Sequence, residues 1–157
     1  MSLIRTVIDW ETAYGKHPVT GENVTLSKMT TEEYVRHPLF KAHGLGVKIG
    51  QERALYLYKP DDLLHFLRTH PWSRSFTIAH HSHFDGAILT WRAGITPRFW
   101  GDTLSMGRAI FPNESASLGR LSVILGLGEK GTELASFRGK WSLTDEEQAV
   151  MGRYCCN

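Results

Sequence analysis

Two carboxylates stand two residues apart in the stretch VIDWET, residues 7–12: Asp9 and Glu11, with Trp10 between them. Val7 and Ile8 ahead of them are β-branched, and residues 3–9 (LIRTVID) read as a strand ending near the acids. Side chains alternate along a strand, so Asp9 and Glu11 share one face and Trp10 turns to the other, toward a core. Two like charges so close repel each other and resist joint desolvation. A divalent cation relieves both penalties, and hard Mg²⁺ or Mn²⁺ prefers oxygen ligands. The same spacing also describes a strand that simply turns acidic where it reaches solvent, and on spacing alone both readings stand.

A third acid lies in HHSHFDGAILTW, where Asp85 follows a predicted strand and opens a helix whose Ile88 and Leu89 face the sheet. Catalytic groups of open α/β sheets gather at the carboxyl ends of strands, which brings Asp85 toward Asp9 if their strands are neighbours. By itself Asp85 is equally an acid favoured by a helix N-terminus.

The elements that must position these residues follow from pattern. Residues 15–29 are turn-rich and read as a surface loop. Thr30 and Glu33 form a capping box for a helix that stops by Pro38. Residues 40–49 and 53–58 read as two strands joined by a turn at 50–52, and Pro60 opens a helix with Leu63, Leu64 and Leu67 on its apolar side. A strand over 75–80, a helix over 87–91 closed by Gly94 and a short strand over 99–102 follow. Helices are expected over 104–110, 118–125 and 143–154. A meander followed by strand–helix alternation predicts an α/β fold: one mixed β-sheet, flanked by helices, whose last two strands lie parallel to the first.

At 157 residues, with 41% hydrophobic and 22% charged side chains, the chain suits a single domain, residues 1–157, with a core large enough to need no staples. A net charge of +2 is too mild to announce nucleic acid and does not exclude it. The cysteines are the neighbours Cys155 and Cys156, which argues against a disulfide framework and fits a reducing compartment. No apolar run approaches the roughly 18 residues of a membrane span, and the opening residues turn acidic too soon for a secretory signal. The expectation is a soluble cytoplasmic domain without membrane partners.

Five blocks, VIDWET, AHHSHFDGAIL, DTLSMGRA, SLGRLSVILGLGEKG and RYCCN, in this order resemble the DEDD (DnaQ-like) 3′–5′ exonuclease superfamily. More narrowly they resemble the proofreading exonuclease domain of phage family A DNA polymerases. The resemblance spans nearly the whole chain. It implies an RNase H-like fold, two Mg²⁺ or Mn²⁺ ions, single-stranded DNA 3′ ends as substrate, nucleoside 5′-monophosphates as product, and a polymerase domain as partner in cis or trans. Asp9 and Glu11 match the first motif, Asp85 the second, and Tyr154 the tyrosine of the third, Y-x-x-x-D. These make Asp9, Glu11 and Asp85 the implied metal ligands and Tyr154 the group that orients the attacking water. Thr12, His81 and Phe84 are the implied substrate contacts, and Trp10 is core. Asp102, in a recurrent D-T-L, reads as a helix cap.

Two departures from the pattern bear on activity. The family carries Asn where this chain has His81. Counting Y-x-x-x-D from Tyr154 places the fourth acid just after Asn157, so the domain reads as truncated there, and the chain as given is expected to be weakly active or inactive. Lys130, Arg138, Lys140 and Arg153 could line a phosphate track, although the interleaved Glu129, Glu133 and the acids at 145–147 equally describe a solvated mixed-charge surface. One alternative is a catalytically impaired RNase H-like module that binds nucleic acid without cutting it. Another is a zinc hydrolase using His81, His83 and Asp85, an H-x-H-x-D that resembles the opening of the metallo-β-lactamase motif. That motif continues with His where this chain has Gly86, and all eight histidines lie at or before residue 83, which leaves such a site short of ligands.

Overall fold

The computed structural model describes residues 2–129, 131 and 133–156. In chain order its elements are strand β1 (Ile4–Thr12), a short hairpin of β2 (Gly15–Lys16) and β3 (Asn23–Val24), helix α1 (Thr31–Arg36), strands β4 (Ala42–Ile49) and β5 (Leu55–Leu57), and helix α2 (Pro60–Thr69). After a turn of 3₁₀-helix come β6 (Ser75–Ala79), α3 (Ser82–Ala93), β7 (Phe99–Asp102), α4 (Thr103–Ile110), α5 (Leu118–Ile124), a second 3₁₀ turn and α6 (Asp145–Cys156).

The five long strands form one sheet in the order β5-β4-β1-β6-β7. β1 pairs antiparallel with β4, and β4 with β5, while β1 with β6 and β6 with β7 are parallel. This is the mixed, helix-flanked α/β sheet expected of an RNase H-like fold. The capping box of α1 is present: Glu33 N–H donates to Thr30 Oγ1, and Thr30 N–H donates to the Glu33 carboxylate at 2.8 Å.

The alternation of β1 divides the molecule into two sides. Ile8 and Trp10 sit opposite Val47 and Leu45 of β4, and partners directly across a ladder share a face. All four are buried in the core, with Ile88 and Leu89 of α3 and Tyr34 and Val35 of α1. Asp9 and Glu11 face the other way, and their partners across the ladder are Gly46 and Gly44. With no side chains at those two positions, other groups occupy the space. A Cβ on Gly44 would collide with the Tyr56 ring, and one on Gly46 with Cys155 Sγ. Helix α6 packs on β4, β5 and β1, where Gly152 lets it approach Tyr56.

Local departures from the sequence expectation have physical reasons. β1 runs on to Thr12, three residues beyond its expected end at residue 9, because β4 pairs with it past the acids as far as a bulge between Glu11 and Thr12. α3 starts at Ser82 instead of 87 because His81, at φ 70°, turns the chain sharply out of β6. Part of the surface loop forms the β2–β3 hairpin.

The packing of α6 through Gly46 carries a testable consequence. Gly46→Ala overpacks against Cys155 and should cost about 1–3 kcal/mol in denaturant unfolding, the usual penalty for a crowded interior. Adding Cys155→Ala should restore most of the loss. An additive double mutant would show that the two residues do not meet.

Candidate metal centre

The site begins where the ladders end. The parallel pairing of β1 with β6 reaches Val7 and Ile78. Beyond it the Trp10 N–H is taken by Asp85 Oδ1 at 2.9 Å, so the first turn of α3 continues the hydrogen bonding of β1 where β6 has finished. Asp9, Glu11 and Asp85 thereby line one cavity of about 350 Å³, with Thr12, His80, His81 and Phe84 also on its walls. Of the expected site residues, these six come together: Asp9, Glu11, Thr12, His81, Phe84 and Asp85.

The electrostatics are those of crowded acids. Asp85 is 3% exposed and Glu11 6%, so both are largely withdrawn from bulk water. Burial, then the charge of Asp9, pushes the Asp85 carboxyl well above the usual range, against the Trp10 hydrogen bond that holds it down. On the α6 side, one oxygen each of Asp9 and Glu11 and the Cys155 Sγ all lie within 4.8 Å of one another, a grouping able to hold a metal ion. The Cys155 thiol donates toward Asp9 O and Oδ2, each at 3.6 Å. Burial and then the Asp9 charge push that thiol above its ordinary range. Burial and then Glu11 act in the same direction on the Tyr56 phenol. The carboxylates of Asp9, Glu11 and Asp85 suit a hard divalent cation, because a positive ion relieves the repulsion they now exert.

Tyr154 is buried on α6 and is not among the residues lining the acid cavity, while its neighbour Cys155 meets Asp9. Cys155 was the residue missed by sequence reasoning. A helix turns about 100° per residue, so spacing alone does not say which of residues 154–156 faces the acids, and the resemblance pointed to Tyr154.

Other parts of the cavity wall are ordered by hydrogen bonds. Tyr34 Oη lies 2.8 Å from Thr12 Oγ1 and donates to the Ala13 carbonyl at 2.7 Å, while Phe84 packs against the Tyr34 ring. Asp102 does cap α4, as expected. It also accepts the backbone N–H of His81 at 2.8 Å and of Ser82 at 3.0 Å, clamping the left-handed turn that presents His81 to the cavity. A left-handed residue other than glycine costs free energy, and here that clamp offsets it. Burial raises the Asp102 carboxyl, but bonds from Ser105, Ser82 and His81 outweigh this and hold it down to about 2.

The candidate phosphate track is scattered. Lys140 pairs with Glu147, and Arg138 is exposed. Arg153 lines a separate cavity with Arg53, Tyr56 and Cys156. Lys130 lies outside the described residues. His81 and His83 open onto different cavities, and among the described residues the H-x-H-x-D histidines belong to no metal-holding cluster.

No protein-family model and no curated protein matches the chain. Solved structures do. One described as the apo form of a nuclease aligns at 16% identity and TM-score 0.58, over 99% of this chain and 65% of that one. Brucella melitensis NrnC bound to pGG aligns at 14% identity and TM-score 0.60, over 98% of this chain and 67% of the other. The same protein with bound Mg²⁺ gives 14% and 0.59, over 97% and 66%. The chain thus spans about two thirds of the length of these structures and shares their fold.

The Asp102 clamp gives a stability prediction. Asp102→Ala should cost about 1–2 kcal/mol, the worth of a helix cap. The folded carboxyl lies below its ordinary 3.8. Its contribution is therefore full above pH about 4 and fades as pH falls toward 2. In acid titrations of unfolding free energy, Asp102→Asn should lack that component, and a wild-type profile identical to the Asn variant's would contradict the clamp.

Proposed function

We propose that this chain is a metal-dependent nuclease domain acting on single-stranded nucleic acid from its 3′ end. The observation that supports it most is the meeting of Asp9, Glu11 and Asp85 at the carboxyl end of the parallel strands, around one cavity. The fold shared with structures described as nucleases, one of them with Mg²⁺, agrees with this reading.

Asp9 and Glu11 would hold the cations, with Asp85 adding a third carboxylate from the first turn of α3. When bound, a pair of Mg²⁺ or Mn²⁺ ions lowers the pKa of the attacking water and stabilises the leaving 3′-oxygen. The protein's own contribution is placement. The cavity of about 350 Å³ is at the small end for a ligand pocket and selects an unpaired terminal nucleotide over a duplex end. Phe84 offers a face for base stacking, and His81 and Thr12 offer polar contacts at its rim. Tyr154 is buried on α6 outside the cavity lining, so the role of orienting the water, which a phenol can fill without carrying charge, comes to it from the ordered sequence blocks alone. The products are nucleoside 5′-monophosphates. The finer reading, a proofreading domain that receives single-stranded DNA ends from a polymerase in cis or trans, rests on the ordered sequence blocks alone.

The test is digestion of 3′-labelled and 5′-labelled single-stranded DNA, with pGG as a second substrate, in Mn²⁺ or Mg²⁺ and in chelator. Stepwise shortening from the 3′ end that needs the metal is expected, faster when an aspartate is appended after Asn157. Asp9→Ala should lower the rate at least about a hundredfold, the loss of several kcal/mol of charge stabilisation. Metal-dependent cleavage that persists in Asp9→Ala overturns the assignment. Strand binding without cleavage, in every metal and with the appended acid, identifies a binding module instead.

A further inference from the structure

The acid pair has a neighbour that hard-metal chemistry does not call for. Cys155 Sγ stands 3.6 Å from Asp9 Oδ2, and Sγ, an Asp9 oxygen and a Glu11 oxygen all lie within 4.8 Å of one another. A tetrahedral zinc ion about 2.3 Å from a thiolate and about 2.0 Å from a carboxylate oxygen sets those two ligands about 3.5 Å apart. The sulphur and oxygen therefore already stand at the separation such an ion requires. Gly46 makes this possible, since any side chain there would take the place of the sulphur.

We infer that Asp9, Glu11 and Cys155 form a mixed oxygen–sulphur site for a thiophilic divalent cation, Zn²⁺ or Cd²⁺, which competes with the hard cations of the proposed nuclease centre. Thiolate ligands select soft ions, whereas Mg²⁺ and Mn²⁺ gain little from sulphur. Binding forms one metal–sulphur bond and releases the thiol proton, now directed at Asp9, to solvent; no electron changes hands. Because the soft ion uses Asp9 and Glu11, it excludes the hard ion and inhibits reversibly. The inference rests on the proposed function only in assigning those two acids as cation ligands. Cys156 is not part of the cluster and serves as the control.

The experiment is titration of the protein with Cd²⁺, followed by the ultraviolet thiolate-to-cadmium charge-transfer band. One equivalent should saturate the band in the wild type and in Cys156→Ser. Cys155→Ser and Cys155→Ala should lose it, and Asp9→Asn should weaken Cd²⁺ binding at least tenfold. A wild type without the band, a band that survives in Cys155→Ser, or an affinity indifferent to Asp9→Asn each overturns the site. Cleavage is scored separately. The band with its three dependences supports the site even if no nucleic acid is cut, whereas Mn²⁺-dependent cleavage without the band removes the site and leaves the nuclease reading intact.

Discussion

A strand that buries Ile8 and Trp10 on one face must present Asp9 and Glu11 on the other, and the rest of the molecule is arranged around that alternation. The core on the Trp10 side is ordinary, closed by α1 and α3. The acid side is not. Opposite Asp9 and Glu11 the neighbouring strand carries Gly46 and Gly44, so the sheet offers no cover of its own, and cover comes from Tyr56 and from α6. Like-charged groups are thus held close together beside a packed surface. That arrangement is costly in a folded protein unless a counter-ion is part of its working state.

Asp85 extends the same constraint. Its hydrogen bond to the Trp10 N–H ties the start of α3 to β1 at the place where the parallel ladder has run out. One carboxylate thereby both completes backbone pairing and adds charge to the acid cluster. The strained turn before α3 is held from a third direction by Asp102, at the end of β7. Three parallel strands therefore end on one shared set of polar contacts, and the acid cavity opens there.

Much of this was legible in residue order. Branched apolar runs marked the strands, Thr30 with Glu33 marked the start of α1, and the sequence of elements implied a mixed sheet with its last strands parallel to the first. The meeting of Asp85 with Asp9 followed from placing both at strand ends. The glycines of HGLGV did not read as a cradle, because their effect depends on which face of β4 they occupy and on what packs there. Cys155 was hidden for a similar reason. Tyr154, Cys155 and Cys156 are successive on a helix, and only the docking of α6 decides which one meets the acids. The early start of α3 was missed because a histidine in the left-handed region is rare, and a clamp from Asp102, about 20 residues downstream, leaves no local signal. Asp102 was read correctly as a cap, yet two of its five hydrogen bonds go to the turn that opens α3.

Binding of a divalent cation between Asp9 and Glu11 can be read from crystals equilibrated with Mn²⁺ by anomalous diffraction. An anomalous peak is expected within coordination distance of both carboxylates, lost on addition of chelator. Clear density for the protein with no manganese at the acid pair, or with manganese bound only elsewhere, would contradict it.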